Sequence, residues 1–271
     1  MQLPASLEHP MTHGLKLLYE HRQILYSTTV NDVRAKYRGT MLGLTWAAIY
    51  PLLFLGLYAA IYLLIFRVRL PDYTPFEYVL LVFCGLIPFL GFAESLGSGV
   101  TSVNSNKSLI RNTMFPIELI PAKAVLASVV TMSVGLVILL AALWLNGIFH
   151  ATQLLVPLIF VLQILFLIGL IWLLSALNVF FQDLGQMIGV IILFLMLVSP
   201  IAYTQEMIPP NMMVLMYPNP LYYMIMIYRD MLMMGEFPAV LFLVFSGMTV
   251  VTFTLGFFVF NRLKPMFADY V

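Results

Sequence analysis

Six stretches of this chain approach or exceed the roughly 20 apolar residues that a helix needs to cross about 30 Å of hydrocarbon. They run from Met41 to Phe66, from about Phe76 to Gly99, and from about Ile117 to the turn at Asn146 and Gly147. The others are Leu154 to Phe181, Gln186 to Tyr203 and Pro238 to Phe260. Backbone polar groups inside a bilayer must be satisfied within the segment, so runs of this length are expected to be helices. The predicted class is therefore an all-α, polytopic membrane protein with six transmembrane helices. Composition agrees: 62% of residues are hydrophobic and 9% are charged, against about 25% charged in soluble domains.

Charge placement predicts the orientation. With both termini in the cytoplasm, the inner segments hold Lys16, Arg22, Arg34, Lys36, Arg38, Lys107, Arg111, Lys123, Arg262 and Lys264, whereas Arg67, Arg69 and Arg229 lie outside. That asymmetry follows the retention of basic residues on the cytoplasmic side. The net charge of +1 gives no overall field for nucleic acid. Met1 to Pro10 carries Glu8 and no apolar stretch, so no cleavable signal is expected before the first span.

Three segments are neither spans nor simple turns. Thr12 to Ser27 places Leu15, Leu18, Tyr19, Leu25 and Tyr26 on one helical face, as expected of a helix lying in the membrane interface, although Arg22 interrupts the stripe. Residues 104–121 form a basic, proline-punctuated loop. Residues 205–237 are apolar but broken by Pro209, Pro210, Pro218, Pro220 and Gly235, which fits short re-entrant helices at an outer gate. The expected organisation is one domain: a cytosolic segment with the interface helix over 1–38, the membrane domain over 39–264 and a cytosolic tail over 265–271.

Catalytic chemistry finds little support. No Gly-Lys pair exists to build a phosphate-binding GxxxxGK[ST] loop. Asp32, Asp72, Asp183, Asp230 and Asp269 are scattered, and neither HExxH nor GxSxG occurs. His9, His13, His21 and His150 read as solvated surface residues, and the lone Cys84 as a small buried hydrophobe. Ion-driven carriers place ionisable groups deep in their spans; here the main one is Glu94, near the cytoplasmic end of the second span, with Glu118 and Asp183 at span boundaries. No metal site and no cofactor are expected in this chain, and the reading is transport energised by another subunit.

Aromatic residues supply the candidate path. Trp46, Tyr50, Phe54, Tyr58 and Tyr62 recur at helical spacing in the first span. Phe89 and Phe92 follow in the second, while Tyr203, Tyr222 and Tyr223 gather toward the outer end. Sugar rings stack on such faces, and tyrosine hydroxyls bond sugar hydroxyls without demanding one sequence. Nine of the 18 methionines lie in the gate segment; flexible thioethers suit an apolar seal better than a metal site.

Several blocks resemble the membrane subunit of ABC exporters for bacterial surface polysaccharides, the O-antigen, capsule and teichoic acid permeases of Wzm-like type. They are NDVRAKYRGTMLGLTWAAIYP ending at Pro51, LIRNTMFPIELIPAKAV at 109–125, NVFFQDLGQ at 178–186, SPIAY at 199–203 and NPLYYMIMIYRD at 219–230. The family often has Arg where Gln182 stands. The resemblance implies a channel-forming homodimer in the bacterial cytoplasmic (inner) membrane. Two copies of a separate nucleotide-binding ATPase would hold ATP and Mg, and the cargo would be a polyprenyl-diphosphate-linked glycan among membrane lipids. It further implies that Arg34, Lys36, Arg38, Lys107, Arg111, Phe115, Pro116 and Glu118 meet the lipid headgroup or the ATPase, and that Pro209, Pro218, Pro220, Tyr222 and Tyr223 shape the outer gate. The alternatives are an ABC exporter permease for a drug, lipid or other small molecule, and a membrane enzyme acting on polyprenyl-linked sugars, which the missing carboxylate cluster disfavours.

Overall fold

The computed structural model describes residues 10–61, 73–107, 115–203, 211 and 213–270. Within them the α-helices are α1 (Pro10–Glu20), α2 (Arg22–Tyr37), α3 (Trp46–Ala59), α4 (Pro75–Gly99), α5 (Ser102–Ser105), α6 (Leu119–Leu145), α7 (Val156–Phe180), α8 (Asp183–Val198), α9 (Met213–Met216), α10 (Pro220–Arg229), α11 (Ala239–Leu263) and α12 (Phe267–Tyr270), and the described residues hold no strand. Four of the six predicted spans are long and apolar enough to cross a membrane: α4, α6, α7 with the preceding turn, and α11 with the following one. The two others are shorter. α8 has 16 residues, or about 24 Å at ~1.5 Å per residue. α3 has 14, and the predicted continuation to Phe66 passes beyond Ile61, outside the described residues.

Local chemistry sets the helix ends. Thr74 Oγ1 accepts from the Glu77 amide at 3.3 Å while the Thr74 amide donates to Glu77 Oε2 at 2.7 Å, and Pro75 fills the first helical position. This capping box starts α4 where the apolar run begins. Asn219 Oδ1 accepts from the Leu221 amide at 3.0 Å and opens α10. That helix passes into a π-helical turn, Asp230–Met234, which stops at Gly235 with φ of 73°, a left-handed value that favours glycine.

α4 is the hub. Its most apolar stretch is 83% buried, against 28% for α11. α6, α10 and α8 lie against it, and α7 joins α11 on the far side. Gly169 and Gly256 allow that last contact: a Cβ on either would collide with the backbone of the other helix. Helices in lipid gain from such close approach, because the tails outside are as apolar as the side chains inside. Trp172, fully buried, packs its ring on Phe253 and Phe257 at 5.1 Å each, and its Nε1 donates to the Glu118 carbonyl at 2.9 Å. Pro88 interrupts the α4 ladder. Gln163, 1% exposed, donates to the Pro88 carbonyl at 3.0 Å and accepts from the Tyr228 hydroxyl at 3.0 Å, tying α4, α7 and α10 together.

The leading segment differs from the single helix expected over Thr12 to Ser27. It breaks at His21 into α1 and α2, and α2 continues to Tyr37. α1 crosses α11, with Gly14 against Phe253 and Phe257, while α2 lies along α6. Leu18 and Leu25 turn inward, but Tyr19 and Tyr26 are 68% and 73% exposed. The expected stripe is therefore shared between the protein and its surroundings.

Candidate functional site

α2, α4, α5 and α6 line an open polar cavity of about 610 Å³ at the basic end of the bundle. Two ion pairs cross it. Lys36 on α2 donates to Glu94 on α4, and Lys123 on α6 meets Asp32 at 3.0 Å. Burial works against the Lys36 ammonium, but its hydrogen bond and charge interaction with Glu94 prevail and hold its pKa above the ordinary value. Ser98 and Ser128 share a 3.3 Å contact on the wall, and Ser102 contributes a buried hydroxyl without a partner among the described residues. The cavity is thus rich in hydrogen-bonding groups but balanced in charge. Glu94, expected at a span end, also borders the crevice that holds Tyr50.

From Tyr50 an aromatic row climbs α3. Trp46 and Tyr50 are 38% and 46% exposed; the Tyr50 and Phe54 rings lie 4.9 Å apart, and Phe54 and Tyr58 stack at 6.5 Å. Tyr58 reaches a crevice with Tyr78 and Phe83 on α4. The structure therefore brings Trp46, Tyr50, Phe54 and Tyr58 together on one helix, while Tyr62 lies outside the described residues. Phe89 and Phe92 are placed elsewhere: both are buried in the protomer's core, their rings stacked at 6.4 Å.

The basic cluster is divided. Arg34 and Arg38 are exposed and lack an ion pair among the described residues, whereas Lys36 is neutralised by Glu94. Lys107 is exposed just past α5, Phe115 and Pro116 are half-buried before α6, and Arg111 lies outside the described residues. Glu118 is 4% exposed and accepts from Lys264 at 2.6 Å. It joins the start of α6 to the end of α11.

At the opposite end lies Arg229, counted in the sequence only as a charge on the outer side. It is 1% exposed and donates to the carbonyls of Pro200, Ile201 and Tyr203 at 2.9 to 3.0 Å. The Tyr78 hydroxyl donates to Ala202 at 2.8 Å. SPIAY is thus a short non-helical passage whose carbonyls are answered one after another by side chains, as irregular backbone buried among helices requires. A second latch holds the π-helical turn. Thr152 donates to the Met231 carbonyl at 2.7 Å, Gln153 to Leu232 at 3.0 Å and His150 Nε2 to Met233 at 3.1 Å. His150 is therefore half-buried and bonded instead of solvated. Tyr222 and Tyr223 are buried and edge-on at 5.2 Å, Tyr223 donates to the Tyr217 carbonyl at 3.0 Å, and Tyr203 donates to Val198 at 2.5 Å. Pro220 opens α10, Pro218 is exposed, and Pro209 lies outside the described residues. The lone arginine in NPLYYMIMIYRD was the available signal, since a charge in an apolar run demands partners.

Among the described residues no group of three or more His, Cys, Asp or Glu side chains is placed to hold a metal ion. Cys84 is buried.

Comparison with known proteins gives these features a context. Residues 24–233 match the family model described as ABC-2 type transporter. Two proteins of Klebsiella pneumoniae, each called O-antigen export system permease protein RfbA, are 30% identical to the chain over 263 and 265 residues, 96% of it and 98% of their own lengths. A protein of the same name from Myxococcus xanthus is 25% identical over 194 residues, covering 71% of this chain and 73% of that one.

Proposed function

The chain belongs to the ABC-2 type transporter family, and from that premise we propose that it is the permease subunit of an ATP-driven polysaccharide exporter. It is a multi-pass protein of the bacterial inner membrane and a transport subunit, not an enzyme. The observation that carries the substrate class is similarity along nearly the whole chain to two O-antigen export permeases. The cargo in this reading is a lipid-linked glycan of O-antigen type.

The finer reading extends this. α3 and α8 complete six crossings once the bilayer and a partner protomer are included, with both termini in the cytoplasm and residues 205–237 as an outer gate of re-entrant helices. Two chains form the channel, and two copies of a separate ATPase bind ATP and Mg at its cytoplasmic face. Support comes from the exposed faces of α3 and α8, where Leu53, Leu57, Phe194 and Leu197 are 56% to 72% exposed, area that a second protomer would cover. The glycan enters beside the polar cavity, where Arg38 and Lys107 offer charge to a diphosphate, and slides along Trp46, Tyr50, Phe54 and Tyr58.

The test is the location of lipid-linked glycan in cells lacking the chain, by surface labelling of intact cells beside extraction of the cytoplasmic pool. Bare surfaces with intracellular accumulation are expected; an unchanged surface would point to a small-molecule cargo. Replacing Tyr50 and Tyr58 by alanine should cut surface glycan roughly tenfold, the equivalent of about 1.4 kcal/mol, with protein levels unchanged. Normal surface glycan in that variant would remove the aromatic path.

A further inference from the structure

The polar cavity has an apolar counterpart on the other side of α2. A groove of about 610 Å³ runs between α2 and α6, and Leu44 ahead of α3 also borders it. Its size falls within the ~300 to 1,000 Å³ usual for ligand pockets. On α2 the wall is Arg22, Tyr26, Val30 and Val33, and on α6 it includes Leu126 and Val130. The spacing is helical on both sides, so each helix presents one continuous face. The middle is mostly apolar, interrupted by the hydroxyls of Thr29 and Ser133. Charge sits at Arg22 and Arg34, about 18 Å apart at ~1.5 Å per residue.

Among the described residues no carboxylate lines the groove. Asp32 is engaged with Lys123 and Glu94 with Lys36, both at the polar cavity. Arg22 lies over the Tyr19 ring at 4.5 Å and donates to the Tyr19 carbonyl at 3.1 Å, and Arg34 has no ion pair among the described residues. Thr29 adds a buried hydroxyl with no hydrogen-bond partner among the described residues on the same wall. An elongated, mostly apolar floor with two guanidinium groups and an unsatisfied hydroxyl fits one chemistry: a hydrocarbon chain ending in a phosphate.

We propose that this groove is a binding site for an anionic phospholipid of the bilayer, its acyl chain between α2 and α6 and its phosphate held by Arg22 or Arg34. The occupant is a resident lipid, distinct from the exported cargo. Position favours lipid over a protein partner, because one wall is α6, which is long and apolar enough to cross a membrane, so the groove along it faces the bilayer. Basic pockets of this kind on the cytoplasmic side of helical membrane proteins select anionic headgroups. The inference uses the membrane crossing of α6 but not the identity of the exported molecule.

The experiment uses the chain purified with its ATPase and placed in nanodiscs of phosphatidylcholine containing a minor share of phosphatidylglycerol. Protein-bound lipids are then counted by native mass spectrometry. The wild type should enrich phosphatidylglycerol above its bulk share. Arg22→Gln and Arg34→Gln should each lower that enrichment roughly fivefold, the factor for about 1 kcal/mol per surface charge. Both sites are exposed, so circular dichroism should be unchanged. Val130→Trp, which fills the groove and leaves the arginines, should lower it as well. Equal enrichment in the wild type and the two arginine variants would overturn the proposal. So would uptake of both lipids in bulk proportion, or loss of the ATPase from the arginine variants with lipid retention unchanged, which would assign the groove to a protein. Surface glycan is scored separately in cells, so failure of the export reading leaves this lipid count standing, and the reverse also holds.

Discussion

The two ends of the bundle satisfy their buried polar groups in different ways. At the end carrying α10, neutral side chains and one arginine answer backbone carbonyls: Arg229 and Tyr78 at SPIAY, and Thr152, Gln153 and His150 at the π-helical turn. At the basic end, side chain meets side chain in the pairs Lys36 with Glu94, Lys123 with Asp32 and Lys264 with Glu118. Backbone carbonyls have fixed positions, so their partners hold the chain in a single shape. Ion pairs between flexible side chains can part and re-form as helices shift, and the half-exposed Lys36 does so at little cost. The contrast suits a transporter with one rigid end and one end whose helices can shift.

The largest effect tests the rigid end. Arg229→Met removes the donors to three carbonyls, and hydrogen bonds to charged groups contribute about 1.5 to 3 kcal/mol each. A loss of at least ~3 kcal/mol is expected, read as a marked fall in melting temperature in detergent. Arg229→Lys, with a charge but no planar fork, should recover part of it. A melting temperature equal to wild type would show that SPIAY does not depend on these bonds.

Gln153→Leu comes next. It strands the Leu232 and Ile148 carbonyls and the Trp144 indole N–H. The expected cost is about 2 kcal/mol, with faster hydrogen exchange at 230–236 and unchanged exchange in α6. Uniform change across the molecule would dissolve the idea of a local latch.

The smallest expected effect belongs to the flexible end. Lys36→Ala and Glu94→Ala should each change stability by about 1 kcal/mol or less, with a coupling of roughly 0.2 to 1 kcal/mol in a double-mutant cycle. The exchanged pair, Lys36→Glu with Glu94→Lys, should restore export that either single reversal lowers. Failure of that rescue would mean that one of the two residues acts outside the pair.

Much of this fold was readable in apolar run length. α4, α6, α7 and α11 occupy the stretches predicted for the second, third, fourth and sixth spans to within a few residues, because run length and hydrocarbon thickness are physically linked. The block of aromatics on α3 was also legible, since helical spacing alone brings Tyr50, Phe54 and Tyr58 together. The latches were not. Gln153 and Leu232 are 79 positions apart and Lys36 and Glu94 are 58 apart, and no local pattern encodes which distant helix a polar residue will meet. Phe89 and Phe92 show the opposite limit: aromatic identity cannot distinguish a core-facing ring from one on the surface, and both face the core. The break at His21 escaped notice because no proline or glycine marks it.

The central claim, outward movement of a lipid-linked glycan by this chain and its ATPase, is tested most directly in proteoliposomes. Both subunits are reconstituted with lipid-linked glycan in the leaflet facing the ATPase, ATP is added, and glycan reaching the opposite leaflet is counted with an impermeant glycan-cleaving enzyme. The account predicts ATP-dependent transfer that requires this chain and falls in the Tyr50 and Tyr58 alanine variant. Transfer no faster than in liposomes carrying the ATPase alone would contradict it.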